Sequence, residues 1–190
     1  MDKQAIQAIL NSEKCNLFDN SAIASHASQP LEMSMIDAVI HYFTIQGWDY
    51  AQEESNLLHS TFQVQEYQWD CYIQSFEAQK QLLIYSIVPA IAPQYKRAAI
   101  LELTTRINYD LVIGSFDVEL QSGYISYKTS LDITESYLDL ALLKNLFQAN
   151  LETVVYYLPA FQGVIQDDLS PLEARLPSED ASGFSCRDAG

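Results

Sequence analysis

Between Arg106 and Asp132 the chain reads RINYDLVIGSFDVELQSGYISYKTSLD, and from Gly114 onward its side chains alternate with a period of two. Phe116, Val118 and Leu120 fall on one face, with Ser115, Asp117 and Glu119 on the other. That is the period of a half-buried strand. Ile125, Tyr127, Thr129 and Leu131 alternate in the same way with Tyr124, Ser126, Lys128 and Ser130. Ser122-Gly123 between the runs predicts a two-residue turn, the glycine supplying the positive φ that a tight hairpin needs. Such a turn pairs Leu120 with Ile125, Val118 with Tyr127 and Phe116 with Thr129, and sets Asp117 opposite Lys128, an ion pair worth about 0.2–1 kcal/mol. A slip of one residue would turn one apolar set toward water.

The rest of the chain is read as packing around this hairpin. Ile6, Ile9 and Leu10 suggest a short amphipathic helix, and the Ser/Ala/Asn-rich stretch from Glu13 to Met33 reads as a linker. Ser34 is a candidate N-cap, followed by Ile36, Val39, Ile40 and Phe43 at helical spacing and by Gly47 where a helix-ending glycine belongs. Four strand-like runs follow: Trp48 to Gln52; Leu58, Phe62 and Val64; Trp69, Cys71 and Ile73; and Leu82 to Val88. The last, LLIYSIV, is apolar on both faces apart from Ser86, which predicts a central strand covered on both sides and ended by Pro89. A helix from Pro93 carries the stripe Tyr95, Ala99, Ile100, Leu103 and Ile107, with Leu101 on the opposite side. A longer one, capped by Thr134 or Ser136, buries Leu140, Leu143, Phe147, Leu151, Val154 and Leu158 and is ended or kinked at Pro159. Past Asp167 no period remains. Residues 1–33 therefore read as a short helix and linker, 34–167 as one α+β domain, and 168–190 as a disordered tail. The order helix, four strands, helix, two strands, helix implies an antiparallel sheet of about six strands flanked by helices.

Composition narrows the function classes. Twenty-five acidic against 10 basic residues give a net charge of −15, which repels phosphate backbones and anionic lipid, so neither nucleic acid nor membrane is the expected partner. Cys15, Cys71 and Cys186 lack CxxC spacing and fit a reducing compartment, with Cys71 packed in a strand. The start MDKQAIQAIL is not a signal peptide, and the longest uncharged run, Gln81 to Tyr95, is broken by Pro89 and Pro93. A cytoplasmic protein is the expectation. His26, His41 and His59 have no ligand spacing, Glu53-Glu54 and Asp167-Asp168 read as solvated acids, and there is no GxSxG or Cys-His signature. No catalytic, cofactor-binding or metal-ligating residue emerges, so the chain is not expected to be an enzyme.

The span from about Leu82 to Ile165 resembles the YbjN domain family, bacterial proteins labelled as sensory transduction regulators. The stretches that carry the resemblance are LLIYSIVP, the helix running into RINYDLVIGSFDVEL, the hairpin GYISYKTSLDI and the helix with NLFQANLETVVYYLPAF. The helix leading into GWDYAQEE fits more loosely. The resemblance implies a type III secretion chaperone-like fold, commonly dimeric and binding other proteins, with no catalytic residues to carry over. Two functions follow from different classes. One is a non-catalytic protein-binding module, chaperone-like or regulatory; the other is a small-molecule-binding or enzymatic domain whose pocket is made of residues that sequence reveals only as core. Leu101, together with Leu142 and Tyr156 on the long helix, marks a candidate interaction surface, for a symmetric homodimer or a protein partner that the sequence does not name.

Overall fold

The computed structural model describes residues 33–64, 66–134 and 137–175. The expected helix near Ile6, the linker, His26, Cys15, Cys186 and Ser136 lie outside the described residues.

Helix α1 (Met35–Gln46) starts where Ser34 Oγ accepts the Asp37 amide, and ends at Gly47, whose φ of 66° lets the Gly47 and Trp48 amides reach back to the carbonyls of Thr44 and Phe43. Strands β1 (Ala51–Glu54), β2 (Leu57–Val64), β3 (Tyr67–Phe76) and β4 (Gln81–Ile91) form an antiparallel meander. Helix α2 (Arg97–Asp110) then leads to β5 (Ser115–Val118) and β6 (Tyr124–Asp132), and α3 (Leu140–Gln166) and the short α4 (Pro171–Arg175) close the described chain. The sheet has six strands in the order β1-β2-β3-β4-β6-β5, with all neighbours antiparallel. The α+β architecture expected from the pattern is the one present.

Alternation decides which face is covered. Leu58, Phe62, Val64, Trp69, Cys71, Ile73, Leu82, Ile84, Val88, Phe116, Ile125 and Tyr127 are buried on one face, beneath the helices. At the β2 end Phe43 of α1 meets Trp48 and Phe62 edge-on and Phe147 of α3 meets Phe43 and Trp48 edge-on, and Phe161 of α3 meets Phe116 at the β5 end. The full stripe expected on α3, from Leu140 to Leu158, is buried.

Inside that stripe sits one polar residue. Asn150 is fully buried; its Oδ1 accepts the Ser86 hydroxyl at 2.6 Å, while its Nδ2 faces Thr129 Oγ1 at 3.1 Å and the carbonyls of Ile84 and Tyr127 at 3.4 Å. A buried amide left unpaired is costly, so this constellation holds α3 in one register over β4 and β6.

Several readings of the sequence are corrected. The hairpin register is displaced by two residues: Phe116 pairs with Tyr127 and Val118 with Ile125. The turn is longer than two residues because the Glu119 carboxylate takes the amides of Gln121 and Ser122 and the Ser122 hydroxyl, which also hold that carboxyl below its ordinary range. Gly123, at φ 85°, lies so close to Ala92 that a Cβ would stand 2.1 Å from its carbonyl oxygen. A two-residue displacement keeps the faces, so only Leu120 leaves the core, at 56% exposed, and Asp117 still reaches Lys128 diagonally at 2.7 Å. Pro89 does not end β4 but sits in the irregular stretch between Ile87 and Ile91 where the ladder to β6 shifts. Tyr95 is 80% exposed, since α2 begins two residues later behind a 3-10 turn. Asp139, not Thr134, caps α3, and that helix runs on through an exposed Pro159 because Leu158, Phe161 and Val164 keep their buried line. Beyond Asp167 the chain does not lose structure at once: Ser170 and Glu173 cap each other at the start of α4, which packs on α2 and α3 and buries Ala174.

The buried amide generates a stability prediction. Asn150→Ala should lower the unfolding free energy by about 1–3 kcal/mol, because the hydroxyls of Ser86 and Thr129 lose their partner, whereas the exposed Asn145→Ala should stay within about 0.5 kcal/mol of wild type. Urea titration followed by circular dichroism measures both, with the midpoint falling and the slope unchanged for Asn150→Ala.

Candidate functional site

The second face of the sheet is where β4 departs most from expectation. Leu82, Ile84, Ser86 and Val88 point into the core, but Leu83, Tyr85 and Ile87 on the opposite side are only half-buried and take no part in the core cluster. The strand is apolar on both faces, yet the three long helices α1, α2 and α3 pack on one side only. Across this open face the ladder places His59, Tyr72, Tyr85 and Lys128 side by side on β2, β3, β4 and β6. His59 stacks on Tyr72 at 4.8 Å and Tyr72 on Tyr85 at 5.2 Å, with ring planes within 24° and 18° of parallel. Leu57, Leu83 and Ile87 flank the stack, and Ile91 and Tyr124, paired across β4 and β6, extend it with 53% and 50% of their surface exposed.

The surroundings are acidic. Asp70 accepts from Thr61 Oγ1 at 3.0 Å and lies 2.9 Å from His59 Nε2, with Glu53 4.0 Å from the other ring nitrogen. Burial pushes the Tyr72 phenol above its ordinary pKa, and the charges of Asp70 and Glu53 push it the same way. Asp117 holds Lys128, and Asp132 accepts from Gln81 at 3.1 Å. Cys71 lies on the covered side of the sheet, where burial pushes its thiol up to about 12 and keeps it from reacting as a thiolate.

The two ends of the sheet differ. The outward N–H and C=O of Phe116 on edge strand β5 are both taken by the side-chain amide of Asn108, at 2.8 and 2.9 Å, so α2 seals this edge as a neighbouring strand would. Strand β1 at the other edge is four residues long, irregular between Gln52 and Glu54, and exposed throughout. Its two glutamates discourage edge pairing.

The three residues marked in sequence fall elsewhere. Leu101 is 38% exposed on α2, opposite the buried Ile100, Leu103 and Ile107. Leu142 and Tyr156 are partly buried against the core, and burial raises the Tyr156 phenol. They share α3 roughly 21 Å apart along its axis, at 1.5 Å per residue. A cleft of about 260 Å³ near the β3–β4 turn is lined by Phe76, Gln81, Leu82, Leu83, Ser130, Leu131 and Asp132. It falls below the roughly 300–1,000 Å³ of ligand pockets, and Gln81 and Asp132 are turned to each other. No group of three His, Cys, Asp or Glu side chains among the described residues could hold a metal ion, and no described helix is long and apolar enough to cross a membrane.

The sequence profile of the YbjN family, described as "Putative bacterial sensory transduction regulator", matches residues 36–163. The chain belongs to the YbjN family. The YbjN match runs from the first turn of α1 to the last turn of α3, so it includes the open face, the Asn108 seal and the Asn150 constellation. Among solved structures, YbjN from E. coli is similar at 14% identity and a TM-score of 0.45, over 67% of this chain and 92% of that one. The HopA1-SchA chaperone-effector complex matches at 11% identity and a TM-score of 0.44, over 64% and 90%. The Yersinia pestis type III secretion chaperone SycH, bound to a stable fragment of YscM2, matches at 11% identity and a TM-score of 0.44, over 63% and 96%. No curated protein sequence matches the chain. The sequence did carry a signal for the open face of this YbjN domain, in the odd-numbered residues Leu83, Tyr85 and Ile87, but an apolar strand face reads the same whether a helix of the same chain or another molecule covers it.

Proposed function

We propose that this YbjN-family protein is a non-catalytic, cytoplasmic protein-binding module, chaperone-like or regulatory, and that it docks its partner on the open face of the sheet. The observation that carries the reading is the apolar outer side of central strand β4, where Leu83, Tyr85 and Ile87 lie beside Tyr72 with none of α1, α2 and α3 over them. Apolar area left partly in water at the middle of a sheet gains by being covered, at about 25 cal/mol per Å², and stacked tyrosines are among the residues that anchor protein interfaces. The regulatory description of the family supports the same class of function.

Self-association through the helical side is proposed as a separate property. Leu101 on α2 would lie in a symmetric contact, extended by the exposed parts of Leu142 and Tyr156. A two-fold contact uses the same patch from both copies, so one Leu101→Glu change puts two like charges into one interface. Sedimentation at matched concentrations should give a dimer for wild type and a folded monomer for Leu101→Glu; equal dimerisation of the two removes Leu101 from the contact.

The docking reading is tested by capture from native lysate with the full chain as bait. A Tyr85→Ser/Ile87→Ser double variant should stay folded, because neither side chain belongs to the core cluster, and should lose the proteins that wild type retains. An unchanged set on the double variant would contradict the reading.

A further inference from the structure

The open face has a shape and a charge that select among protein partners, and the inference that follows rests on the docking reading above. Along β4 its apolar strip runs from Leu83 to Ile91, roughly 25 Å at 3.3 Å per residue. Across the sheet the line from His59 to Lys128 spans three strand spacings, roughly 14 Å. A helix with its side chains is about 10–12 Å wide, and about 17 residues cover 25 Å. An extended segment laid on the same face would leave its backbone polar groups without a ladder, while the edges that could offer one are sealed by Asn108 at β5 and guarded by glutamates at β1. A helix satisfies its own backbone and supplies the second layer that an apolar sheet face requires.

The charge decides what kind of helix. Glu53, Asp70, Asp117 and Asp132 stand on the outer side of the sheet, and Lys128, the one Lys or Arg there among the described residues, is already held by Asp117 at 2.7 Å. A Leu-rich helix flanked by acids would be repelled from these carboxylates; one flanked by Lys or Arg would pair with them. The net charge of −15 would draw such a partner in from solution. We infer that the open face of the sheet takes a basic amphipathic helix of a partner protein, its apolar stripe on Leu83, Tyr85, Ile87 and Ile91 and its cations on the carboxylates to either side.

The test uses the full chain and two fluorescein-labelled 18-residue amphipathic peptides, one built of Leu and Lys and the other of Leu and Glu, titrated by fluorescence anisotropy at about 0.15 M salt. The Leu/Lys peptide should bind and the Leu/Glu peptide should not. Asp70→Lys/Asp132→Lys should weaken the Leu/Lys peptide by about tenfold or more. The Asp70→Asn/Asp132→Asn pair, which preserves side-chain shape, should weaken it by about threefold if the reversal pair fails to fold. Glu102→Lys/Glu152→Lys, on the helical side, changes the net charge equally and should alter binding by less than about twofold. Equal loss from the helical-side pair, equal binding of the Leu/Glu peptide, or no binding of the Leu/Lys peptide would each overturn the inference. If the Leu/Lys peptide fails while Tyr85→Ser/Ile87→Ser still abolishes capture, the basic helix is wrong and the docking surface stands.

Discussion

The buried amide of Asn150 is the interaction on which the arrangement of the domain turns. It reaches from α3 between β4 and β6 and engages a hydroxyl on each strand, Ser86 and Thr129, with the carbonyls of Ile84 and Tyr127 behind them. Apolar packing alone tolerates sliding, because Leu, Val and Phe side chains have no directional partner. An amide surrounded by core does not tolerate it, since leaving its donor or acceptor unpaired costs about as much as a whole buried methyl or two. Once α3 is fixed over the centre of the sheet, the covered face is fixed too.

That fixed asymmetry also decides which face of the sheet the described helices leave open. The described helices spend their apolar stripes on the side of Ile84 and Tyr127, so among the described residues no second layer lies over the tyrosine stack and the outer residues of β4. Aggregation through the edges is restrained by other means: an amide side chain that mimics a strand at β5, and a short, charged, irregular strand at β1. The domain thus exposes apolar surface in its middle while protecting its backbone at its margins, which suits side-chain recognition better than strand addition.

The element types were legible in the sequence because period and capping are local. Ser34 and Gly47 bound α1 as their chemistry requires, and the hairpin faces follow from alternation even though its pairing is displaced by two. The displacement was not legible, because the Glu119 carboxylate that organises the turn looks like any wet-face acid until its three donors are placed around it. Pro159 was misread for the opposite reason: its intrinsic cost is known, but the tertiary burial of Leu158, Phe161 and Val164 outweighs it. Asn150 did leave a trace, as a polar residue inside the stripe that runs from Leu143 through Phe147 to Leu151. What no single strand can reveal is which of its two apolar faces the chain itself covers, and the candidate surface lies there.

The most direct check is the solvent access of individual tyrosines in the free protein. Hydroxyl-radical footprinting read by mass spectrometry should label Tyr72 and Tyr85 readily, while Tyr42 and Tyr127, each 0% exposed, stay protected until the chain is unfolded. Protection of Tyr72 and Tyr85 to the level of Tyr42 would mean that the face is already covered, and would contradict the account.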